Sequence, residues 1–336
     1  MSRTGVVIIG RNEGENLRRC IGSVRDESVP VVYVDSGSTD GSVDLARAMG
    51  CHVVELDAGV PFTAARARNT GFEHVLGLHR DLEFVQFVDG DCELSANWLA
   101  GGEVEFSWRP DVGVVFGRLG EQSPEASIYN RLCEMEWKGS TGEVKSCGGI
   151  FMARVRAFRE AGGFNPAIRA GEEPELCVRL RQGGWKILRV DAPMALHDAG
   201  MTSFGQWARR AIRSGHAYAE GAALHFCTPG RHWLRQVGSI LLWGVAVPAV
   251  AVTSVAVAPW TPWTLSLIGL IAAAYAVLAL RIYRSRRRLH DRPKDAALYT
   301  LFCILSKWPQ CWGLWTYLGR RLRRERSLAP TQEGTE

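Results

Sequence analysis

Phe84-Val85-Gln86-Phe87-Val88-Asp89-Gly90-Asp91 is an apolar run of strand length that ends on two aspartates one residue apart. A buried strand of this kind delivers both carboxylates to its C-terminal end, the edge at which open α/β sheets bind their ligands. Hard carboxylate oxygens suit Mg²⁺ or Mn²⁺, and those ions bind diphosphates in turn. Acidic turns of this length are also common solvated features, so the surroundings must decide between the two.

Upstream, short apolar runs alternate with helical stretches. Residues 6–9 are β-branched and bounded by glycines, which predicts a buried strand, and residues 12–24 carry apolar side chains at helical spacing. A second strand over 31–34 ends in Asp35. Ser38-Thr39-Asp40 offers N-caps for a helix over 41–49. A third strand over 51–56, a helix over 63–79 and a strand over 83–88 complete the series. Such alternation predicts βαβ units and a parallel sheet. Downstream, strands are expected over 112–116 and 186–190, and helices over 128–137, 154–161 and 172–182, as the second half of one α/β domain.

The 336 residues exceed one ordinary domain, and 46% hydrophobic with 22% charged residues is a globular composition. Nine scattered cysteines without a Cys-x-x-Cys pair predict reduced thiols in a cytosolic compartment, with neither a zinc site nor a disulfide framework. The first residues run into a strand, with no signal-peptide apolar core. The net charge of +5 is uneven, with arginines gathered at 284–288 and 320–326 beside apolar segments. That placement favours anionic lipid over nucleic acid.

Residues 237–258 and 264–280 are apolar and uncharged, separated by Pro259-Trp260-Thr261-Pro262-Trp263. They predict a transmembrane hairpin whose basic flanks, Arg231 and Arg235 on one side and 281–288 on the other, hold both ends in the cytoplasm. Residues 296–318 are rich in tryptophan but interrupted by Lys307 and Pro309. Crossing would translocate the arginines that follow, so an interfacial or re-entrant helix is expected there. The tail after Ser327 is expected to be disordered.

Four blocks stand in register: Val6-Val7-Ile8-Ile9-Gly10-Arg11-Asn12-Glu13, Val34-Asp35-Ser36-Gly37-Ser38-Thr39-Asp40-Gly41-Ser42, Ala67-Arg68-Asn69-Thr70-Gly71 and Val88-Asp89-Gly90-Asp91. In order and spacing they resemble the family 2 glycosyltransferases of the GT-A fold, in a membrane-anchored bacterial type, over roughly residues 5–220. The resemblance implies a Rossmann-like nucleotide-diphospho-sugar transferase domain over 1–225 and a C-terminal membrane region over 226–336. It places Asp35 on the pyrimidine of the donor, Arg11 and Glu13 near the nucleotide, and Arg68 toward the diphosphate or base. Asp91 would ligate Mg²⁺ or Mn²⁺, with Asp89 on the ribose or on metal-bound water and His197 as a third ligand.

Glu173, in Gly171-Glu172-Glu173-Pro174-Glu175, stands where the family has the aspartate of a Glu-Asp pair and is the expected general base, with Glu172 as the alternative. Gly148 and Gly149, after Cys147, match a glycine-rich segment facing donor sugar and acceptor. Gln206-Trp207-Ala208-Arg209-Arg210 partly resembles the Gln-x-x-Arg-Trp element of processive synthases, but Arg210 replaces the tryptophan.

The resemblance therefore implies an inverting, metal-dependent transfer from a nucleoside diphosphate sugar, with a UDP-sugar expected. The acceptor would lie at the cytoplasmic membrane face, as a polyprenyl-linked exopolysaccharide or envelope glycan intermediate, and no nucleic acid is expected as a partner. A polyprenyl-phosphate glycosyltransferase is the alternative within the class. A nucleotidyltransferase would need a basic, glycine-rich phosphate loop that Gly10-Arg11-Asn12-Glu13 does not supply. A non-catalytic membrane scaffold would have no use for the acidic motifs.

Overall fold

The computed structural model describes residues 3–24, 28–228 and 230–328, with side chains described as far as Arg323. The chain falls into two compact units, Met1–Thr202 and Ser203–Glu336. The tail expected to be disordered begins at the edge of the described residues, and the rest of it lies outside them.

The N-terminal unit opens with β1 (Thr4–Gly10), α1 (Glu15–Ser23), β2 (Val31–Asp35), α2 (Ser42–Ala48), β3 (His52–Glu55), α3 (Ala64–Leu78) and β4 (Phe84–Asp89). These strands pair in parallel in the order β3-β2-β1-β4, as the alternation of strand and helix predicts. β1 and β4 are buried on both faces, and the two-residue period of a strand sorts their side chains. Val7, Val85 and Phe87 join one core with Phe72 and Val75 of α3, whereas Val6, Ile8, Phe84 and Val88 join the other with Leu17 and Ile21 of α1. Gln86, fully buried in β4, is satisfied by donating to the carbonyl of Phe87 and accepting from the indole of Trp98. α3 lies close on the sheet because Gly71 has no Cβ; one there would drive into Val7 and come within 2.9 Å of a Val34 methyl.

The second half continues with β5 (Cys92–Leu94), α4 (Trp98–Trp108), β6 (Val112–Glu121), α5 (Ile128–Glu136), β7 (Gly142–Val144), β8 (Phe151–Arg154), α6 (Val155–Glu160), α7 (Glu172–Gln182) and β9 (Lys186–His197). Here the parallel sheet gives way to a mixed one. β8 enters antiparallel between β4 and β6, β6 and β9 run parallel, and β5 and β7 each add antiparallel to β9. β6 and β9 also run well past the apolar runs that announced them. Their register shifts between Val112 and Leu119, and these irregularities erase the clean alternation that marks a strand.

The C-terminal unit is helical: α8 (Phe204–Leu224), α9 (Leu234–Leu241), α10 (Val247–Val257), α11 (Leu265–Arg288), α12 (Pro293–Leu305) and α13 (Lys307–Leu328). A π turn over Leu242–Ala246 joins α9 to α10 just before Pro248, which has no N–H to continue the ladder. Leu234–Val257 and Pro262–Arg288 are long and apolar enough to cross a bilayer, and almost none of their side chains is buried. The stretch expected as one interfacial helix over 296–318 is two helices that break at Ser306, with Pro309 in the first turn of α13, where its missing N–H costs nothing. Cys311 and Leu314 face inward from α13, while Trp308, Trp312 and Trp315, spaced by four and three residues, form an exposed stripe. α8 and α13 cross where Gly215 meets the carbonyl of Gln310 and Gly313 meets that of Ile212, too close for a Cβ at either glycine.

Candidate active site

The registers of the parallel strands bring their C-terminal ends together. Gly10 lies opposite Asp35, Ile9 opposite Asp89, and the N–H of Gly90 donates to the carbonyl of Ile9 at 2.8 Å. Glu13, in the turn after β1, folds back over this edge. A Cβ on Gly10 or Gly90 would come within 2.8 or 2.9 Å of the Glu13 Cγ, so a side chain at either position would push Glu13 from its place. Asp35 is almost fully buried. It accepts from the Tyr33 hydroxyl at 2.9 Å and from the N–H groups of Gly37 and Ser38 at 2.8 Å, and so shapes the loop after β2. Arg11 is exposed at the rim, stacked over Phe62 with 5.6 Å from guanidinium to ring.

Arg68 joins residues that lie far apart in the chain. Its guanidinium, 2% exposed, donates to Asp89 at 2.8 Å and to Glu172 and Glu173 at 3.0 Å each. Burial alone would lower its pKa, but the fields of Asp89, Glu173 and Glu172 raise it above the ordinary arginine value. A buried cation shared by three carboxylates holds the Asp-x-Asp turn and the start of α7 in one fixed arrangement. Gly149 lies against this knot. A Cβ there would come within 2.6 Å of Arg68 Nη2, 2.9 Å of Asp89 Oδ2 and 3.2 Å of Glu173 Oε1. Gly148, its neighbour, is exposed with open space around it.

Glu172 and Glu173 open α7 behind Gly171, whose φ of 81° suits glycine. Acidic residues in a first turn are favoured by the helix dipole. Burial first, then the neighbouring Glu172, raises the Glu173 carboxyl to about 7 against the pull of Arg68. That value suits a group that must take up a proton near neutral pH.

On the other side of Asp89 the strand β5 turns back and pairs with β9, so that Cys92 lies opposite His197. This register brings His197 Nε2 to 3.4 Å from Asp91 Oδ2. Ligand atoms of Asp91, Cys92 and His197 lie within 4.8 Å of one another. Burial and then Asp89 raise Asp91 to about 6, and burial with the charges of Asp91 and Asp89 raises Glu13 to about 7. Acids whose ionisation is resisted by one another want a cation between them. The carboxylate suits Mn²⁺ or Mg²⁺, and an imidazole beside it fits the softer Mn²⁺ better of the two. Cys92 does not belong to that set: burial holds its thiol well above the ordinary value, and the thiol donates to Asp91 Oδ1 at 3.3 Å.

Two neighbours of this centre escaped the sequence reading. Asp198 donates its N–H to the carbonyl of Asp91 and adds to the negative field there. Trp137 sets its ring edge-on to His197, with centroids 4.9 Å apart. Asp198 follows directly on the histidine and could have been read with it; Trp137 lies sixty residues away with no local signal.

Residues 5–160 match the family described as glycosyl transferase family 2. The chain is 25% identical over 262 residues to glycosyltransferase AglE of Haloferax volcanii, covering 71% of this chain and 78% of AglE. It is 28% identical over 228 residues to the pre-mycofactocin glycosyltransferase of Mycobacterium tuberculosis, covering 63% of this chain and 46% of that protein. Among solved structures it resembles the mannosyltransferase PcManGT of Pyrobaculum calidifontis, held in complex with GDP-Man and Mn²⁺. The TM-score is 0.59 and the identity 15%, over 94% of this chain and 87% of that one. That likeness shows the GT-A fold. The family match identifies residues 5–160 as a glycosyl transferase family 2 domain, and with the relatives beside it supports a glycosyltransferase enzyme.

Proposed function

We propose that the chain transfers a sugar with inversion from a nucleoside diphosphate donor, a UDP-sugar first among them, to a polyprenyl-linked glycan acceptor at the cytoplasmic face of a membrane. The observation that carries the reading is the knot around Arg68, which fixes the Asp89 turn and the Glu172–Glu173 turn against each other from 21 and more than 100 residues away. An inverting transfer needs that pairing: a site for the leaving diphosphate and, across the sugar, one carboxylate to take the acceptor's proton.

In this reading Asp35, with the loop it shapes, and Arg11 receive the donor base, and Glu13 faces the ribose. Asp91 and His197 hold a divalent cation with Asp89 beside them; when bound, it neutralises charge that develops on the departing diphosphate. Arg68 orients Asp89 and Glu173, and Gly148 and Gly149 leave room for the donor sugar. Glu173 accepts the proton of the attacking hydroxyl. The catalytic domain reaches to about residue 225. Beyond it Leu234–Val257 and Pro262–Arg288 form the membrane hairpin, its basic flanks inside, and α13 lies along the cytoplasmic leaflet.

A donor screen on purified protein with Mn²⁺ or Mg²⁺, read as nucleoside diphosphate release, tests the reaction. UDP release from a UDP-sugar supports the proposal. Turnover with GDP-mannose alone, the ligand of the structural neighbour, overturns the donor assignment, and release of pyrophosphate overturns glycosyl transfer itself.

A further inference from the structure

Beside the acidic centre, in the N-terminal unit, lies a cavity of about 300 Å³, at the small end of ligand pockets and sized for a single ring or headgroup. It shares a wall with the centre, because Gly149 lines the cavity on one side and abuts Asp89 and Glu173 on the other. Most of its lining is apolar: Phe116, Leu119, Val144, Ile150 and Met194, with Trp137.

One side chain in that lining is out of keeping with the rest. Arg189 sits in β9 between Phe116 of β6 and Gly142 of β7. It stacks over the Phe116 ring at 5.8 Å and donates from Nη2 to the carbonyl of Trp137 at 2.7 Å. Its Nε is buried with no acceptor among the described residues, and no carboxylate there forms an ion pair with it. Burial first, then the like charge of Arg118, lowers its pKa against the smaller pull of Asp191, which the exposed Arg118 holds in its own ion pair, yet a guanidinium stays charged in any such setting. Arg189 is half-buried; even partial desolvation of a cation with no ion-pair partner is costly, and an anion brought into the cavity would offset that cost. Glu136 also lines the cavity, but as an exposed residue whose charge water screens.

We propose that this cavity is a subsite for an anionic group of the acceptor, with Arg189 as the counterion and Trp137 as the face on which the adjoining ring lies. The inference rests on the glycosyltransferase reading of the neighbouring centre and names the class of substrate that centre serves. A carboxylate on an acidic sugar and the phosphate of a prenyl carrier present the same chemistry to Arg189. The indole face would meet the C–H groups of a sugar or the methyls of a prenyl unit.

Binding to the full-length protein in detergent, followed by calorimetry, tests this without recourse to turnover. The probes are methyl glucuronide against methyl glucoside, and a short prenyl phosphate against its alcohol. The wild-type protein is expected to prefer the anionic member of one pair by about tenfold or more. Which pair shows it distinguishes the sugar carboxylate from the lipid phosphate. Arg189→Gln should erase the preference, and Arg189→Lys should keep part of it. Ser146→Asp, at an exposed position in the lining, carries little folding risk and should reduce the preference by repulsion. No preference in either pair, or a preference that survives both Arg189→Gln and Ser146→Asp, overturns the proposal. Failure of the donor screen is a separate result, since it would leave the binding preference in place while removing the transferase reading.

Discussion

At the scale of single residues, the proposed reaction divides its chemistry between two side chains, and each should give a distinct signature when removed. Asp91→Ala deletes a crevice ligand and no core volume. Metal-stimulated turnover should be lost while the thermal transition is kept, and turnover near wild type at saturating donor would remove Asp91 from the metal site. Glu173→Gln still offers an oxygen to Arg68 but has no proton affinity, so turnover should fall by about 10²-fold or more with donor affinity little changed. The same large loss in Glu172→Gln instead would move the base by one residue. Because the Glu173 carboxyl is raised to about 7, it is protonated below that pH and cannot serve as a base. The rate should therefore climb through the neutral range and level above it. A wild-type profile already flat from pH 5 upward would exclude a base with that environment.

Those residues were legible because each belongs to a contiguous motif: Asp89 and Asp91 end a continuous apolar run, and Glu173 opens a helix behind a glycine. What joins them was not. Arg68 and Glu173 are 105 positions apart, and a guanidinium reads the same in sequence whether it meets a ligand or a carboxylate of its own chain. Arg189 was hidden in another way, as a single charged residue inside an expected strand, between Leu188 and Val190, with no motif around it.

At the scale of elements, the parallel half of the sheet was readable and the mixed half was not. β1, β2 and β4 are buried on both faces and so are written as nearly continuous apolar runs, with Gln86 interrupting β4. β5 and β7 have three residues each and β8 four, too short to show a period, and their direction is set by tertiary pairing. The helical unit offers a sharper test of close packing. At the crossing of α8 and α13 the glycines admit a carbonyl where any other residue would place a methyl. Gly313→Ala and Gly215→Ala should each cost roughly 1–3 kcal/mol, the usual range for overpacking. Denaturation in detergent should show an early transition of the helical unit, with the N-terminal unit unaffected. Unchanged unfolding in both variants would mean that the helices do not meet there.

At the scale of the whole molecule, the proposed topology makes a simple prediction. A single cysteine at Thr261, in the turn between the two long apolar helices, should react with an impermeant thiol reagent from outside intact cells. A cysteine at Lys294, between α11 and the body of α12, should not. Labelling of Lys294 and protection of Thr261 would invert the hairpin. The exposed tryptophans of α13 add a kinetic consequence. An enzyme held against a lipid surface meets an acceptor dissolved in that surface by diffusion in two dimensions, so the concentration that governs encounter is molecules per unit area. Diluting the acceptor with inert phospholipid, at fixed amounts of protein and acceptor per millilitre, should slow transfer in proportion to the dilution. Replacing Trp308, Trp312 and Trp315 together by serine should slow transfer at every dilution without changing that proportionality, because the hairpin would still hold the protein in the membrane while α13 lost its hold on the leaflet.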